Sequence, residues 1–391
     1  MNINSATIIG AGPSGLFLAK ELSKVLNVTV FEEDRMLGVP PHCTGLVNSD
    51  SLKALGISPP IIGTYRYVRI VDLEGHGITF DFGRGAIVMV DRPGLEHYLA
   101  DEAGSVSFIL GERVLGVGGG LVRTRSRNNK YEVAVIAEGA SATLSRSVLP
   151  WEPSYVYGVQ TDTKARSTND LMPRVNDEIV VIFDRRLSNH FFAWIVPKDT
   201  GEFRVGIADN SNTWTKFMEL LKIINAGHYK PFGGKIIIGG SPNHVVEGDV
   251  AIIGDAAGFV KPMTGGGIIM GMLSAKLLSD SLYMAMKEGL SVTDALLIYD
   301  NAYRRFVRDK VKALGAASYL LHMMINKSLS EITNVVNGLN IKVYDFDNHI
   351  EALMRMASRR PSVFIKAIMF VMNELSFMEI GSIRRLMRSL I

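Results

Sequence analysis

Two spacings of apolar residues alternate along this chain, and where one gives way to the other the sequence divides. Residues 6–9, Ala6-Thr7-Ile8-Ile9, form a mostly apolar run that stops at Gly10. A glycine-spaced turn, Gly10-Ala11-Gly12-Pro13-Ser14-Gly15, follows. Apolar Leu18, Ala19, Leu22, Val25 and Leu26 then recur at helical spacing over 16–26. A second apolar run, 28–31, ends on Glu32, so the opening reads as a strand–helix–strand unit. Further on, 51–57 predicts a short helix, and 65–70 and 77–82 predict two strands about a turn at 73–77. Asp91 is placed to cap a helix with Pro93 in its first turn, and 106–110, 112–115 and 133–137 predict strands. From Trp151 to about His244 strand-like runs dominate, at 155–160, 179–183, 191–196 and 203–207. They predict an antiparallel sheet inserted into the first domain. The pattern then returns to a buried strand ending in Gly254-Asp255, and a helix runs from Ile268 toward Leu282. The rest, from about Val292, reads as helical and basic. The class is α/β.

Composition adds bounds. The 391 residues can bury a large core, and 47% hydrophobic with 21% charged residues describes a globular chain. A net charge of +3 on 42 basic and 39 acidic residues does not mark a nucleic-acid binder. Cys43 is the single cysteine, so no intramolecular disulfide forms, which fits a reducing compartment. No Cys/His metal cluster, signal peptide or uncharged apolar span is read, and the expectation is a cytoplasmic protein.

The candidate chemistry begins at the first turn. Gly10 permits the turn out of the strand, Gly12 lets a pyrophosphate approach the backbone, and Gly15 lets helix and strand pack. The helix N-terminus offers N–H groups to phosphate, and Glu32 stands near the spacing at which a carboxylate accepts from a ribose hydroxyl. Cys43 lies in a Gly/Pro-rich loop, 38–45, just beyond this unit, where open α/β sheets carry ligands. Its neighbour His42 is either a proton carrier or a loop polar residue. Arg92 is either a phosphate or flavin contact or a surface ion pair. Glu138-Gly139 ends a buried strand. Asp255, at another strand end, can accept from a sugar-like hydroxyl, and Gly265-Gly266-Gly267 opens a helix with N–H groups to present. Alternation puts Phe192, Trp194 and Val196 on one sheet face, as core or as the wall of an apolar pocket. The basic helical tail, with Arg304, Arg305, Arg308, Lys310 and Lys312 and then Arg359, Arg360, Lys366, Arg384, Arg385 and Arg388, is either a lipid-facing surface or a cap with a solvated face.

Three separated segments, the glycine turn with Glu32, Glu138-Gly139, and Gly254-Asp255 with its glycines, together resemble the flavoprotein fold of p-hydroxybenzoate hydroxylase-like enzymes. Pro41-His42-Cys43-Thr44-Gly45 resembles the cysteine loop of the geranylgeranyl reductase family. Residues 192–198 resemble its Tyr-x-Trp-x-Phe-Pro motif, with Phe192 for the Tyr and Val196 for the Phe. The resemblance implies an FAD-binding Rossmann-like (GR2-type) domain over 1–150 and 245–310. An inserted antiparallel-sheet substrate domain would cover 151–244, joined on that side by 61–82, with a helical C-terminal region at 311–391. It implies FAD, with Gly10, Gly12, Pro13 and Gly15 at the pyrophosphate and Glu32 at the adenosine ribose. Cys43, Thr44 and Leu46 would line the flavin, and Arg92 and Val114 would contact the cofactor. Asp255 would hold the ribityl-phosphate region, with Gly265, Gly266, Gly267 and Ile268 beside the ring. Phe192, Trp194 and Pro197 would shape a prenyl pocket.

The activity implied is reduction of isolated double bonds in geranylgeranyl chains of archaeal-type lipid precursors or prenyl diphosphates, by hydride from flavin N5 and a proton. Cys43 is the candidate catalytic residue, in proton delivery or in shaping the pocket. The partners implied are a prenyl lipid, an electron donor (a ferredoxin-like carrier or NAD(P)H) and a peripheral contact at the membrane's inner face. Two other readings share some of these features: an aromatic-hydroxylase type of FAD monooxygenase, and a non-catalytic prenyl-lipid carrier.

Overall fold

The structure is a computed structural model and describes residues 3–319 and 339–343, apart from 166, 168, 228, 229 and 317. The first half comprises β1 (Ser5–Ile9), α1 (Pro13–Leu22), β2 (Asn27–Phe31), β3 (Leu46–Asn48), α2 (Ser49–Ala54), β4 (Ile61–Tyr65), β5 (Tyr67–Val71), β6 (Gly77–Asp81), β7 (Ile87–Val90), α3 (Arg92–Asp101), β8 (Val106–Ile109), β9 (Val114–Gly118), β10 (Leu121–Thr124), β11 (Asn128–Lys130), β12 (Val133–Ile136) and α4 (Thr143–Val148). The second comprises β13 (Ser154–Thr163), β14 (Glu178–Ile182), β15 (Ala193–Pro197), β16 (Phe203–Asp209), α5 (Thr213–Ile223), β17 (Phe232–Gly239), β18 (Val246–Glu247), β19 (Val250–Ile252), α6 (Ile268–Glu288), α7 (Val292–Tyr303) and β20 (Leu339–Lys342).

Local chemistry starts the helices where the sequence places them. Pro13 sits in the first turn of α1, where its missing N–H leaves no bond unmade. The Asp91 carboxylate accepts from Gly94 N at 3.2 Å and caps α3. Residues β19, β12, β1, β2 and β8 pair in parallel, with β18 antiparallel at the edge. β12 is buried at every position, the mark of a parallel strand covered on both faces. α1 packs on α3 and α6, and α6 on α7. α6 has the length and composition of a membrane span, but Leu278, Leu282 and Ala285 are fully buried and the helix belongs to the core.

The second sheet has eight strands in the order β17-β13-β16-β15-β14-β5-β6-β20. It is mixed rather than purely antiparallel. The chain leaves the nucleotide-binding sheet between β2 and β8, between β8 and β12 and between β12 and β18, and the first and third of these excursions meet along a parallel β5–β14 seam. A helix also interrupts the strands expected over 151–244: α5 buries Phe217, Leu220 and Leu221 on the sheet face formed by Ala193, Ile195, Val205 and Ile207. The region after 310 begins as helix, yet Leu339–Lys342 form a strand paired in parallel with β6. Asp81, at the end of β6 opposite Lys342, is held by Arg66 at 2.8 Å. The basic stretch 355–391 lies outside the described residues. Within the upstream basic segment, Arg304 pairs with Asp300, Arg308 with Asp309, and Lys312 donates to Asn243.

Candidate functional site

A cavity of about 1150 Å³ opens between the two sheets. One end is the carboxyl edge of the parallel sheet, where Gly10, Gly12, Pro13, Glu32, Val114 and Asp255 line it. The other end is apolar, walled by Val68, Ile70, Ile78, Phe80 and Phe82 from β5–β6 and by Ile179, Val181, Phe183, Phe192 and Trp194. Cys43, Thr44, Leu46 and Arg92 line the same space, as do Gly265, Gly266, Gly267 and Ile268.

The glycines of the first turn answer to different demands. A Cβ on Gly10 would collide with the Ala137 carbonyl, and one on Gly15 with the Gly10 carbonyl, so both are required by the protein's own packing. At Gly12 a Cβ would meet nothing within 4 Å. The fold itself sets no limit on a side chain there, and the open space belongs to the cavity. Glu32 is fixed by two backbone donors, Ala11 N at 2.6 Å and Asp34 N at 2.9 Å. Burial raises its pKa despite those bonds.

Arg92 combines the two readings open to it. One end pairs with Glu96 on the next turn of α3, while its Nε is buried with no hydrogen-bond partner among the described residues. A buried guanidinium N–H left unmet is costly, and Arg92 lines the cavity that the nucleotide motif borders. Asp255 follows β19 on a short 3₁₀ turn, and its carboxyl is pushed up to about 6 by burial, against the pull of Arg92. A Cβ on Gly267 would run into its Oδ1. The three glycines form a tight turn closed by Gly265 N on the Lys261 carbonyl at 2.8 Å, and α6 starts from it. Glu138, by contrast, spends its carboxylate on Leu144 N and Ser145 N at the start of α4.

An open Gly12, a fixed acid at the second strand and an unmet guanidinium N–H fit a dinucleotide such as FAD. The apolar arm is built by strand alternation. Phe192, Trp194 and Val196 join one cluster while Ala193 and Ile195 face α5. Phe191 and Phe192 stack at 4.1 Å, and Phe192 meets Phe183 at 5.1 Å and Trp194 edge-on at 6.1 Å. Of the expected site residues, Gly15 and Pro197 do not line the cavity. Gly15 is buried in the α1–β1 contact. Pro197 has the opposite parity to Trp194, and its carbonyl takes the buried Tyr65 hydroxyl instead. Sequence reasoning missed Gln160 and Phe183 as site residues; it put 61–82 on the substrate side without naming the side chains of the β5–β6 face. Nothing in the sequence singled out Gln160.

No protein-family model matches the chain. It is similar to an uncharacterized protein of Methanocaldococcus jannaschii, 23% identical over 92% of this chain and 94% of that one. It is also similar to digeranylgeranylglycerophospholipid reductase 1 of Methanothermobacter thermautotrophicus, 23% identical over 92% and 96%. Among solved structures, a geranylgeranyl bacteriochlorophyll reductase-like protein of Thermoplasma acidophilum superposes with a TM-score of 0.79 at 17% identity, over 94% of this chain and 99% of that one. A probable FAD-dependent monooxygenase of Pseudomonas aeruginosa gives 0.63 at 17% identity, over 83% and 97%. The resemblance to the geranylgeranyl reductase family is thus carried by whole-chain relatives as well as by short motifs. The fold is that of FAD-dependent flavoproteins.

Proposed function

We propose that this chain is an FAD-dependent oxidoreductase that saturates isolated double bonds of geranylgeranyl chains, in archaeal-type membrane lipid precursors or prenyl diphosphates. The observation that carries the reading is the continuity of the cavity: a nucleotide end and an aromatic, apolar arm share one space, with the Cys43 loop between them. Relatives named as digeranylgeranylglycerophospholipid reductases support the same reading.

Gly10, Gly12, Pro13 and Glu32 would hold the adenosine diphosphate half, and Arg92, Asp255 and the 265–268 turn the other half. Bound FAD, once reduced, supplies a hydride to one alkene carbon. The rest falls to the chain. An isolated alkene has no carbonyl to stabilise a carbanion, so protonation leads or accompanies hydride arrival, and the tertiary carbon acquires cationic character. Phe183, Phe192 and Trp194 keep water, which would quench that carbon, out of the arm. Their ring faces also attract positive charge. Cys43 lines the shared cavity and is the residue assigned to proton delivery or to shaping the pocket there.

Each saturated bond consumes two electrons, from a ferredoxin-like carrier or NAD(P)H. The protein would work in the cytoplasm with peripheral contact at the membrane's inner face, where such lipids are. The test is mass spectrometry of a geranylgeranylated phospholipid after anaerobic incubation with dithionite-reduced protein. Products heavier by successive pairs of hydrogens are expected. A flavin-bound, reduced protein that leaves both this lipid and geranylgeranyl diphosphate unchanged overturns the reading, and oxygen uptake on adding aromatic substrates would then assign it to the monooxygenases that share its fold.

A further inference from the structure

The loop carrying Cys43 is held from the other domain. Gln160, on β13, is 2% exposed, and its amide is used on three sides. Its Nε2 donates to the His42 carbonyl at 3.3 Å, and its Oε1 accepts from Thr44 Oγ1 at 2.9 Å. The same Oε1 accepts from Trp194 Nε1 at 3.3 Å. The backbone on one side of Cys43 and the side chain on the other are therefore tied to a single residue. That residue is in turn tied to the wall of the apolar arm.

The sheet is shaped for this contact. Trp194 is on β15 and Gln160 on β13, with β16 between them. The residue of β16 at that crossing is Gly206, where a Cβ would run into the indole ring and into the Cβ of Gln160. Without a side chain there, the ring crosses β16 and reaches the amide. One more bond supports the loop: Arg204, held by Asp162 at 2.8 Å, donates to the Thr44 carbonyl at 3.0 Å.

We propose that Gln160 is a positioning residue that fixes the Cys43 loop and couples it to Trp194, so that the occupant of the apolar arm and the placement of the thiol are read by one amide. This deepens the role given to Cys43 above and takes its purpose from that reading. Its test needs neither lipid nor reductant, so the two stand or fall separately.

Cys43 is the only cysteine, so every thiol adduct reports on this loop. The experiment is the rate of N-ethylmaleimide labelling of the FAD-bound protein, followed by intact mass. Gln160→Leu removes all three bonds at similar volume. Labelling is expected to rise about ten-fold with flavin content unchanged, since each bond is individually modest and three are lost together. Thr44→Val removes one bond isosterically and gives a smaller rise, and Thr44→Ser restores the wild-type rate. In the double variant Gln160→Leu/Thr44→Val, labelling is no faster than in Gln160→Leu alone, because the two changes break one network. Wild-type labelling in a flavin-bound Gln160→Leu protein overturns the proposal. If that variant fails to fold, Thr44→Val decides: a wild-type rate, or a rise that Thr44→Ser shares, overturns it equally.

Discussion

Replacing Asp255 with Asn separates what the fold wants from what the site wants. Burial pushes this carboxyl from its ordinary 3.8 up to about 6. Between those values the native flavin-free protein holds a proton that the unfolded chain has released. Stability therefore falls as pH rises from about 4 to about 6, and stays lower above that. A displacement of about two pH units corresponds to about 3 kcal/mol of cost for carrying the charge at neutral pH. Asparagine keeps the shape and cannot ionise. The flavin-free Asp255→Asn protein is thus expected to match the wild type near pH 4 and to exceed it by up to about 3 kcal/mol at pH 7 to 8. The assay is urea unfolding of both proteins at half-unit steps from pH 4 to 8, plotted as the difference between them. The other titrating groups are common to both and cancel. A flat difference, or a wild type that gains on the variant as pH rises, refutes the reasoning. FAD titration of the same samples should run the other way, with the more stable variant the weaker binder. The carboxylate would then be kept for a ligand at the expense of the fold.

The remaining expectations use the same logic. Gly12→Ala, at an unstrained φ of −75° with open space around its Cβ, should leave flavin-free stability within about 0.5 kcal/mol of wild type. FAD affinity, read by flavin fluorescence, should nonetheless fall about ten-fold or more, because the methyl takes the place of the approaching pyrophosphate. Gly10→Ala, at φ +109° and against the Ala137 carbonyl, should instead cost about 3 kcal/mol or fail to fold; equal behaviour of the two variants would refute the division of roles. Arg92→Met should weaken FAD binding about ten-fold, the loss of a charge-assisted bond from the unmet Nε, and unchanged affinity by calorimetry would show that its partner is not the cofactor. Cys43→Ser should bind FAD normally and slow lipid reduction about a hundred-fold or more, the range for loss of a positioned proton donor; reduction at the wild-type rate would remove Cys43 from the chemistry.

Much of the nucleotide end was legible because its signals are local. The glycine turn, Glu32, the Asp91 cap and the buried strand before Asp255 each follow from backbone needs within a few residues. The apolar arm was half legible, since alternation over 192–196 gives a face but not what it faces. What stayed hidden depends on partners distant in sequence. α5 has helical spacing at Phe217, Leu220, Leu221 and Ile224, but it is short and flanked by strands. β20 is a four-residue strand whose pairing depends on an edge some 260 residues earlier. Gln160 looks like any polar residue in a strand until Gly206 and Trp194 are set beside it. Pro197 fell on the wrong face because a motif names neighbours in sequence, while a strand sends them to opposite sides.

β20, the last strand among the described residues, has a temporal consequence. β6 and the cavity wall it carries are synthesised early, but the strand that covers their edge, with Ile341 and Val343 packing on Ile78 and Phe80, comes near the end. At roughly 5–20 residues per second the edge waits about 15 to 50 s on the ribosome. Throughout that interval an apolar hairpin shows open backbone to any neighbouring chain. The growing protein thus leaves the β6 edge bare for a period, and premature termination anywhere before residue 339 leaves it bare for good.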